Sequence, residues 1–268
     1  MQSILARGIR PDLNAICMEF FVTLFNEALY RPIFNILIGL YNVLPYHDIG
    51  VAIILLTVLI RLLLYPFSLK ALKSQKRLQE LQPKIKEVQE RHKGNKEERA
   101  RKLMELYKEH DISPLSGCLP LLVQFPVLIA LYRAFLNGLK PEGVTGLYSF
   151  IQHPGSVNPL FLGFLDLSKK NVYLALLAGA VQFWQSKQSI PKAHSVKREG
   201  NMAQMMNTQM LYFMPLFTVF LGITFPAGLA LYWIVYTLFT VFQQWQMQRI
   251  ERVAGILSQN AGPQPVQK

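Results

Sequence analysis

Residues 49–67 read IGVAIILLTVLIRLLLYPF, nineteen positions broken by a single charge, Arg61. A helix crossing the ~30 Å hydrocarbon core of a bilayer needs about 20 mostly apolar residues. The stretch therefore predicts a membrane span. Working outward, similar runs fall at 117–137, 172–189, 209–224 and 226–246. Phe225-Pro226-Ala227-Gly228 breaks the last two with so short a connection that they form an antiparallel hairpin. About half of the 268 residues are hydrophobic (51%) and 16% are charged, totals that a soluble domain also reaches. The segregation decides the class: apolar residues come in blocks and charges in others, the mark of an all-α membrane protein. No internal repeat is evident.

Orientation follows from Lys and Arg. With the first span running inward, thirteen basic residues fall on the cytoplasmic side at 68–115, four at 187–208 and three at 247–268. Six fall outside (Arg7, Arg10, Arg31, Lys140, Lys169, Lys170), and Arg61 and Arg133 lie inside spans. The positive-inside rule then places the N-terminus outside and the C-terminus in the cytoplasm. The net charge of +12 fits loops facing anionic lipid. Sequence-specific nucleic-acid binding is not expected.

The segments around this core, 46–248, differ from it. Residues 1–18 form an N-terminal extension without the apolar core of a secretory signal, and Met18 is the expected start. Residues 19–45 are apolar but interrupted by Glu19, Glu27, Arg31 and Pro32. They read as an amphipathic helix in the outer interface, with a sixth span as the alternative. Residues 70–110 hold thirteen basic and seven acidic residues, with Leu78, Leu81, Ile85 and Val88 on one helical face. After the break at His92–Asn95, Asn95 and Glu98 suggest a capping box, and Leu103, Leu106 and Tyr107 supply a return face. A cytoplasmic helical hairpin is expected, with two surface-lying basic helices as the alternative. The tail, 249–268, ends in a polar stretch expected to be disordered.

Arg61 is the sharpest feature. By helical rise it stands ~18 Å from Ile49 and ~13 Å from Lys70, deeper than easy snorkelling. A central Arg costs roughly 3 kcal/mol on insertion scales and needs water or a partner. The spans offer no acid, so Arg61 is read as unpaired, awaiting water or an external anion; snorkelling is the alternative. Thr57 lies one turn away on the same side, and Gln124, Gln182 and Gln185 interrupt the second and third spans. Together these side chains would make a hydrated groove; singly, each Gln also fits hydrogen bonding between helices. Arg133 reads as an ordinary snorkeller at its span's outer end. Met202, Met205, Met206, Met210 and Met214 read as packing, or as an adaptable apolar surface. Cys17 and Cys118 lack a CxxC or His neighbour, and His47, His92, His110, His153 and His194 are scattered. No metal site, cofactor or catalytic constellation is expected.

Three stretches resemble the YidC/Oxa1/Alb3 insertases. They are IILLTVLIRLLLYPFSLKALKSQKRLQELQPKIKEVQER at 53–91, LYKEHDISPLSGCLPLLVQFPVLIALYRAF at 106–135 and FMPLFTVFLGITFPAGLALYWIVYTLFTVFQQ at 213–244. The resemblance covers residues 27 to 250. It implies five transmembrane helices around a hydrophilic groove, open to the cytoplasm and laterally to lipid, with a hairpin that receives substrates and targeting factors. The groove Arg corresponds to Arg61, and Thr57, Gln124, Trp233 and Tyr236 to positions on or near the groove. Gln182 and Gln185 depart from the mostly apolar third span the family implies. A large periplasmic domain with its extra span and a long ribosome-holding basic tail have no counterpart in these residues, so tail-driven ribosome docking is not expected.

The expected function is to move short extracytoplasmic tails and apolar segments of nascent membrane proteins into the bilayer. Sec translocon, signal recognition particle or its receptor, and ribosome are implied partners, through 70–110. The expected location is the bacterial plasma membrane. A small anion transporter or channel and a passive assembly factor stay open as alternatives. An enzyme is not expected, since the spans hold no Asp, Glu or His to serve one.

Overall fold

The computed structural model describes residues 13–112, 119–138, 146–189 and 202–260. Cys118, His194 and the Pro114–Cys118 part of the second apolar motif lie outside them, as do the side chains of Met202, Met205, Met206 and Met210. The described chain is mostly helical. In order it forms α1 (Leu13–Phe25), a π-helical turn (Asn26–Tyr30), α2 (Arg31–Val43), a 3-10 turn (Pro45–His47), α3 (Ile49–Leu63), α4 (Tyr65–Arg91) and α5 (Lys96–Glu109). Then come α6 (Leu119–Gly138), the two-residue strands β1 (Leu160–Phe161) and β2 (Leu165–Asp166), α7 (Val172–Ser189), α8 (Met202–Thr224) and α9 (Ala227–Asn260). The chain divides into two compact units: Met1–Ala52 with Leu122–Leu165, and Ile53–Leu121 with Asp166–Lys268.

In the first unit, α1, the π-helical turn and α2 run on as one helical rod. Within the stretch 19–45, expected to lie in the interface as an amphipathic helix, α2 buries Ile33, Phe34, Leu37, Ile38 and Tyr41, because their three- and four-residue steps make one stripe, while Phe20, Phe21, Val22, Leu24 and Ile36 stay exposed. Asn35, 1% exposed, sits in that stripe with its amide saturated. Its Nδ2 donates to the carbonyls of Arg31 (2.8 Å) and Gly146 (3.3 Å), and its Oδ1 accepts from Tyr148 N (2.7 Å). Asp48 caps α3 by accepting from the Gly50 and Val51 amides, and its other oxygen holds Leu162 N at 2.7 Å. Gly50 is required here: a Cβ would stand 2.2 Å from the Phe161 ring. Arg133, read as a snorkeller, is tied instead. It donates to Asn26 Oδ1 (2.7 Å) and lies over the Tyr30 ring at 5.1 Å.

In the second unit the first apolar run does not stay straight. The helix stops at Leu63 and restarts at Tyr65, and the two axes meet at 69°. Pro66 is the cause. It has no N–H for the Leu62 carbonyl and its ring would strike that turn. Leu64 takes up the break at φ −85°, ψ 4°. Past the bend, Leu81 and Ile85 of α4 pack on Leu106 of α5 and on Ile112, flanked by Leu78, Val88, Leu103 and Tyr107. Asn95 caps α5, accepting from the Glu97 and Glu98 amides at 3.1 Å each.

Helices α7 and α8 approach at glycines. A Cβ on Gly179 would stand 2.3 Å from Val219, and one on Gly222 would stand 2.7 Å from the Ala175 Cβ. The start of α9 is fixed where Ala227 N and Gly228 N donate to the carbonyls of Lys169 and Leu167, at 2.8 and 3.1 Å.

This unit buries several small and polar side chains beside large apolar ones such as Ile53, Leu56, Leu229 and Leu231, and leaves many other large apolar side chains exposed. Thr57, Arg61, Ala175, Ala178, Thr218, Thr237 and Gln243 are buried, while Leu59, Leu63, Leu176, Leu216, Phe220, Phe242 and Trp245 are exposed. Small residues let helices approach in lipid, and interhelical polar groups satisfy one another there. Among the described residues no single helix is long and apolar enough to cross a membrane by itself. The α3–α4 pair together meets that length and composition as a bent unit, and Leu211–Thr224 is a shorter apolar stretch.

Candidate functional site

The site is built on α9. Within its apolar sequence, Tyr236, Thr240 and Gln243 recur at helical steps and face α3 and α4, while Trp233, Thr237 and Gln244 form a second stripe facing α7. One helix thus carries two adjacent polar ladders.

The first ladder holds Arg61, which is 8% exposed. The expectation of an unpaired guanidinium is corrected here. Its Nη2 donates to Thr240 Oγ1 and to Gln243 Oε1, each at 2.7 Å. The guanidinium carbon lies 4.4 Å from the Tyr236 ring centroid and 5.1 Å from that of Phe239, the geometry of cation–π attraction. Every one of these partners is neutral, so hydrogen bonds and ring quadrupoles solvate the charge without cancelling it. Arg61 Nε is buried without a hydrogen-bond partner. The ladder continues around the bend. Gln243 Nε2 donates to Ser68 Oγ (2.8 Å), which donates to the Tyr65 carbonyl (2.9 Å), and Tyr65 OH donates to Gln246 Oε1 (2.7 Å).

The second ladder joins α9 to α7. Gln182 Oε1 accepts from Trp233 Nε1 (3.1 Å) and Thr237 Oγ1 (3.3 Å), and Gln182 Nε2 donates to Gln185 Oε1 (3.3 Å). Gln185 and Gln244 both donate to Ser189 Oγ at 2.9 Å, and Gln79 of α4 donates to the Ser189 carbonyl.

The six residues expected at the site therefore separate. Arg61 and Tyr236 are brought together, and so are Gln182 and Trp233, one stripe away on α9. Thr57 is buried, and its hydroxyl donates to the Ile53 carbonyl at 2.7 Å. Gln124 belongs to the first unit and is half-buried. Sequence reasoning missed Thr240, Gln243, Ser68 and Gln246. The signal was present: written on a helix, 233, 237 and 244, and 236, 240 and 243, align as two stripes. Among the described residues no group of His, Cys, Asp or Glu is arranged to hold a metal ion.

A helical chain with large apolar residues outward and a buried arginine among amides and hydroxyls within is the pattern of an α-helical membrane protein. The family model described as 60Kd inner membrane protein matches residues 39–254, and the chain belongs to that family, the bacterial inner-membrane YidC/Oxa1 proteins. It is similar to the membrane protein insertase YidC of Campylobacter jejuni, with 33% identity over 250 residues, 93% of this chain and 42% of that protein. The YidC of Helicobacter pylori strain J99 is 35% identical over 245 residues, 91% of this chain and 40% of that protein. The YidC of Francisella tularensis subsp. novicida is 37% identical over 202 residues, 75% and 32% of the two chains. The chain thus spans about two fifths of the length of the first of these relatives.

Proposed function

We propose that this chain is a membrane protein insertase whose Arg61 site receives the short, often acidic, extracytoplasmic tail of a nascent protein. The observation that carries the reading is Arg61 itself, a cation 8% exposed whose partners among the described residues are all neutral. An uncompensated buried charge is expensive to keep and is useful where an anion must be drawn into an apolar surround. A carboxylate ~4 Å away gains up to about 4 kcal/mol at an effective dielectric near 20, and desolvation offsets part of it, leaving a hold weak enough to release. Meanwhile the apolar segment partitions into lipid along the outer faces of the helices, driven by roughly 25 cal/mol per Å² buried.

In this proposal the five apolar runs are the spans, and the buried polar ladders line a groove open to the cytoplasm. The α4–α5 pair is the hairpin that meets substrates, signal recognition particle or its receptor, the ribosome or the Sec translocon. The N-terminus lies outside and the C-terminus in the cytoplasm. The exposed apolar residues and the family membership support this arrangement.

The test uses protein reconstituted in liposomes and a single-span substrate with an acidic N-terminal tail, read by protection of the tail from external protease. Wild type is expected to protect the tail and Arg61→Ala to lose most of that protection. Undiminished insertion by Arg61→Ala would overturn the electrostatic step. Yields no better than empty liposomes, with folded protein, would favour a passive assembly factor, and solute-dependent current would favour a transporter.

A further inference from the structure

We infer that Gln243 sets the charge specificity of the Arg61 site: its neutral amide holds the guanidinium in place while leaving the positive charge uncompensated for an acidic tail. This rests on the insertase reading.

Gln243 is 0% exposed and both ends of its amide are used. Its orientation follows from chemistry, because a guanidinium only donates. The amide oxygen must therefore face Arg61 Nη2 (2.7 Å), which turns Nε2 toward Ser68 Oγ (2.8 Å). The Ser68 hydroxyl then has one acceptor left to serve, the Tyr65 carbonyl (2.9 Å). Donation thus runs in one sense from Gln243 through Ser68 to Tyr65, and the side chain spans the bend by touching α3 at Arg61 and α4 at Ser68. No step of this relay needs a charge.

A glutamate at 243 would fill nearly the same volume. It would meet Arg61 as an ion pair, the arrangement that usually accompanies a buried arginine. The fold keeps an amide at that position instead, and the second acceptor on Nη2, Thr240, is neutral too. Gln243 is a positioning residue in this scheme, acting through Arg61, and the property it governs is preference for acidic tails.

The test compares two single-span substrates in the liposome assay, identical except that the tail aspartates of one are asparagines in the other. In Gln243→Glu the ratio of acidic-tail to neutral-tail insertion is expected to fall about tenfold from wild type, because the internal carboxylate competes for Arg61. Arg61→Ala is expected to flatten the same ratio. If Gln243→Glu lowers both substrates alike, Gln243 only braces the bend and the inference is overturned. An unchanged ratio with unchanged yields overturns it as well. Should Gln243→Glu fail to fold, Thr240→Asp sets a carboxylate against the same Nη2 and is read in the same way. Failure of wild type to insert either substrate sinks the insertase reading and the inference with it, whereas a ratio in Gln243→Glu equal to that of an active wild type sinks the inference alone.

Discussion

Arg61 and Asn35 are buried polar side chains, each held by several specific contacts, and each gives a sharp expectation. Arg61→Lys keeps the charge but loses the planar face lying between Tyr236 and Phe239 and the fixed fork that reaches Thr240 and Gln243. Insertion of an acidic-tailed substrate is expected to fall to an intermediate level, above Arg61→Ala and below wild type, in the protease-protection assay. Asn35→Ala takes the side-chain partner from the Tyr148 amide, of a half-buried residue, and from the Gly146 carbonyl, of an exposed one. Water can replace part of what is lost, so the cost is expected near the low end of about 1–3 kcal/mol. A lowered thermal midpoint in detergent is expected, with proteolysis of the 146–158 segment becoming faster. An unchanged midpoint would show that water replaces the amide freely.

Elements carry a second set of expectations. Gly222→Ala places a methyl 2.7 Å from the Ala175 Cβ and 2.9 Å from its Cα, so backbone must move. Overpacking of this kind costs typically 1–3 kcal/mol, and the α7–α8 pair is expected to loosen, seen as faster amide exchange in both helices. At Gly179 the nearest obstacle is the side chain of Val219, with the Pro215 carbonyl at 3.3 Å, so Gly179→Ala should be the milder change. In the α4–α5 pair, Leu81→Ala is expected to cost about 2–5 kcal/mol locally, and Asn95→Ala about 1 kcal/mol through its cap. Glu105 adds a pH dependence. The Lys102 hydrogen bond, helped by the charges of Lys102, Arg101 and Lys108, holds its carboxyl below the ordinary value. A depressed folded value stabilises above the unfolded carboxylate range and loses that stabilisation as pH falls through the folded value. Amide protection in α5, taken relative to the intrinsic exchange rate at each pH, is therefore expected to fall slightly on acidification, and Glu105→Gln to remove the difference; the group is exposed and the effect small.

For the whole molecule, the distribution of charge predicts sidedness. Single cysteines placed at Lys96 and at Arg252 are expected to react with a membrane-impermeant thiol reagent only from the cytoplasmic side, and one at Lys170 only from outside. Reaction of Lys96 and Lys170 from the same side would refute the five-span arrangement. The surface supports a membrane setting at this scale: Leu63, Leu216 and Phe242 face outward while Gln243, Thr237 and Arg61 face inward.

How much of this was legible beforehand differs from feature to feature. The helix of 172–189 could be read from its apolar run, and the end of the 209–224 run from its local breakers, Pro226 and Gly228; the helix itself begins earlier, at Met202, where the sequence is polar. The bend at Leu64 was also written in the chain, since Pro66 removes a donor whatever surrounds it, yet the apolar run across it concealed the break. Arg61 announced itself by rarity. Its partners did not, because glutamines and threonines in an apolar helix look alike whether they serve a charge, as Thr240 and Gln243 do, or a neighbouring helix, as Thr237 and Gln244 do.

The sequence by itself determined what depends on one segment at a time. That comprises the helical class, the apolar and charged blocks, the break at Pro66, the cap at Asn95 and the presence of a single deep cation in the first run. The tertiary structure alone decided which polar stripe of α9 faces which helix, that Arg61 is met by an amide, a hydroxyl and two rings rather than left bare, and that Thr57 closes on its own backbone. The physical reason is range. Propensity, capping and hydropathy act within a few residues, whereas Gln243 reaches Arg61 across a separation of 182 positions, where only the packing of whole helices sets the distance.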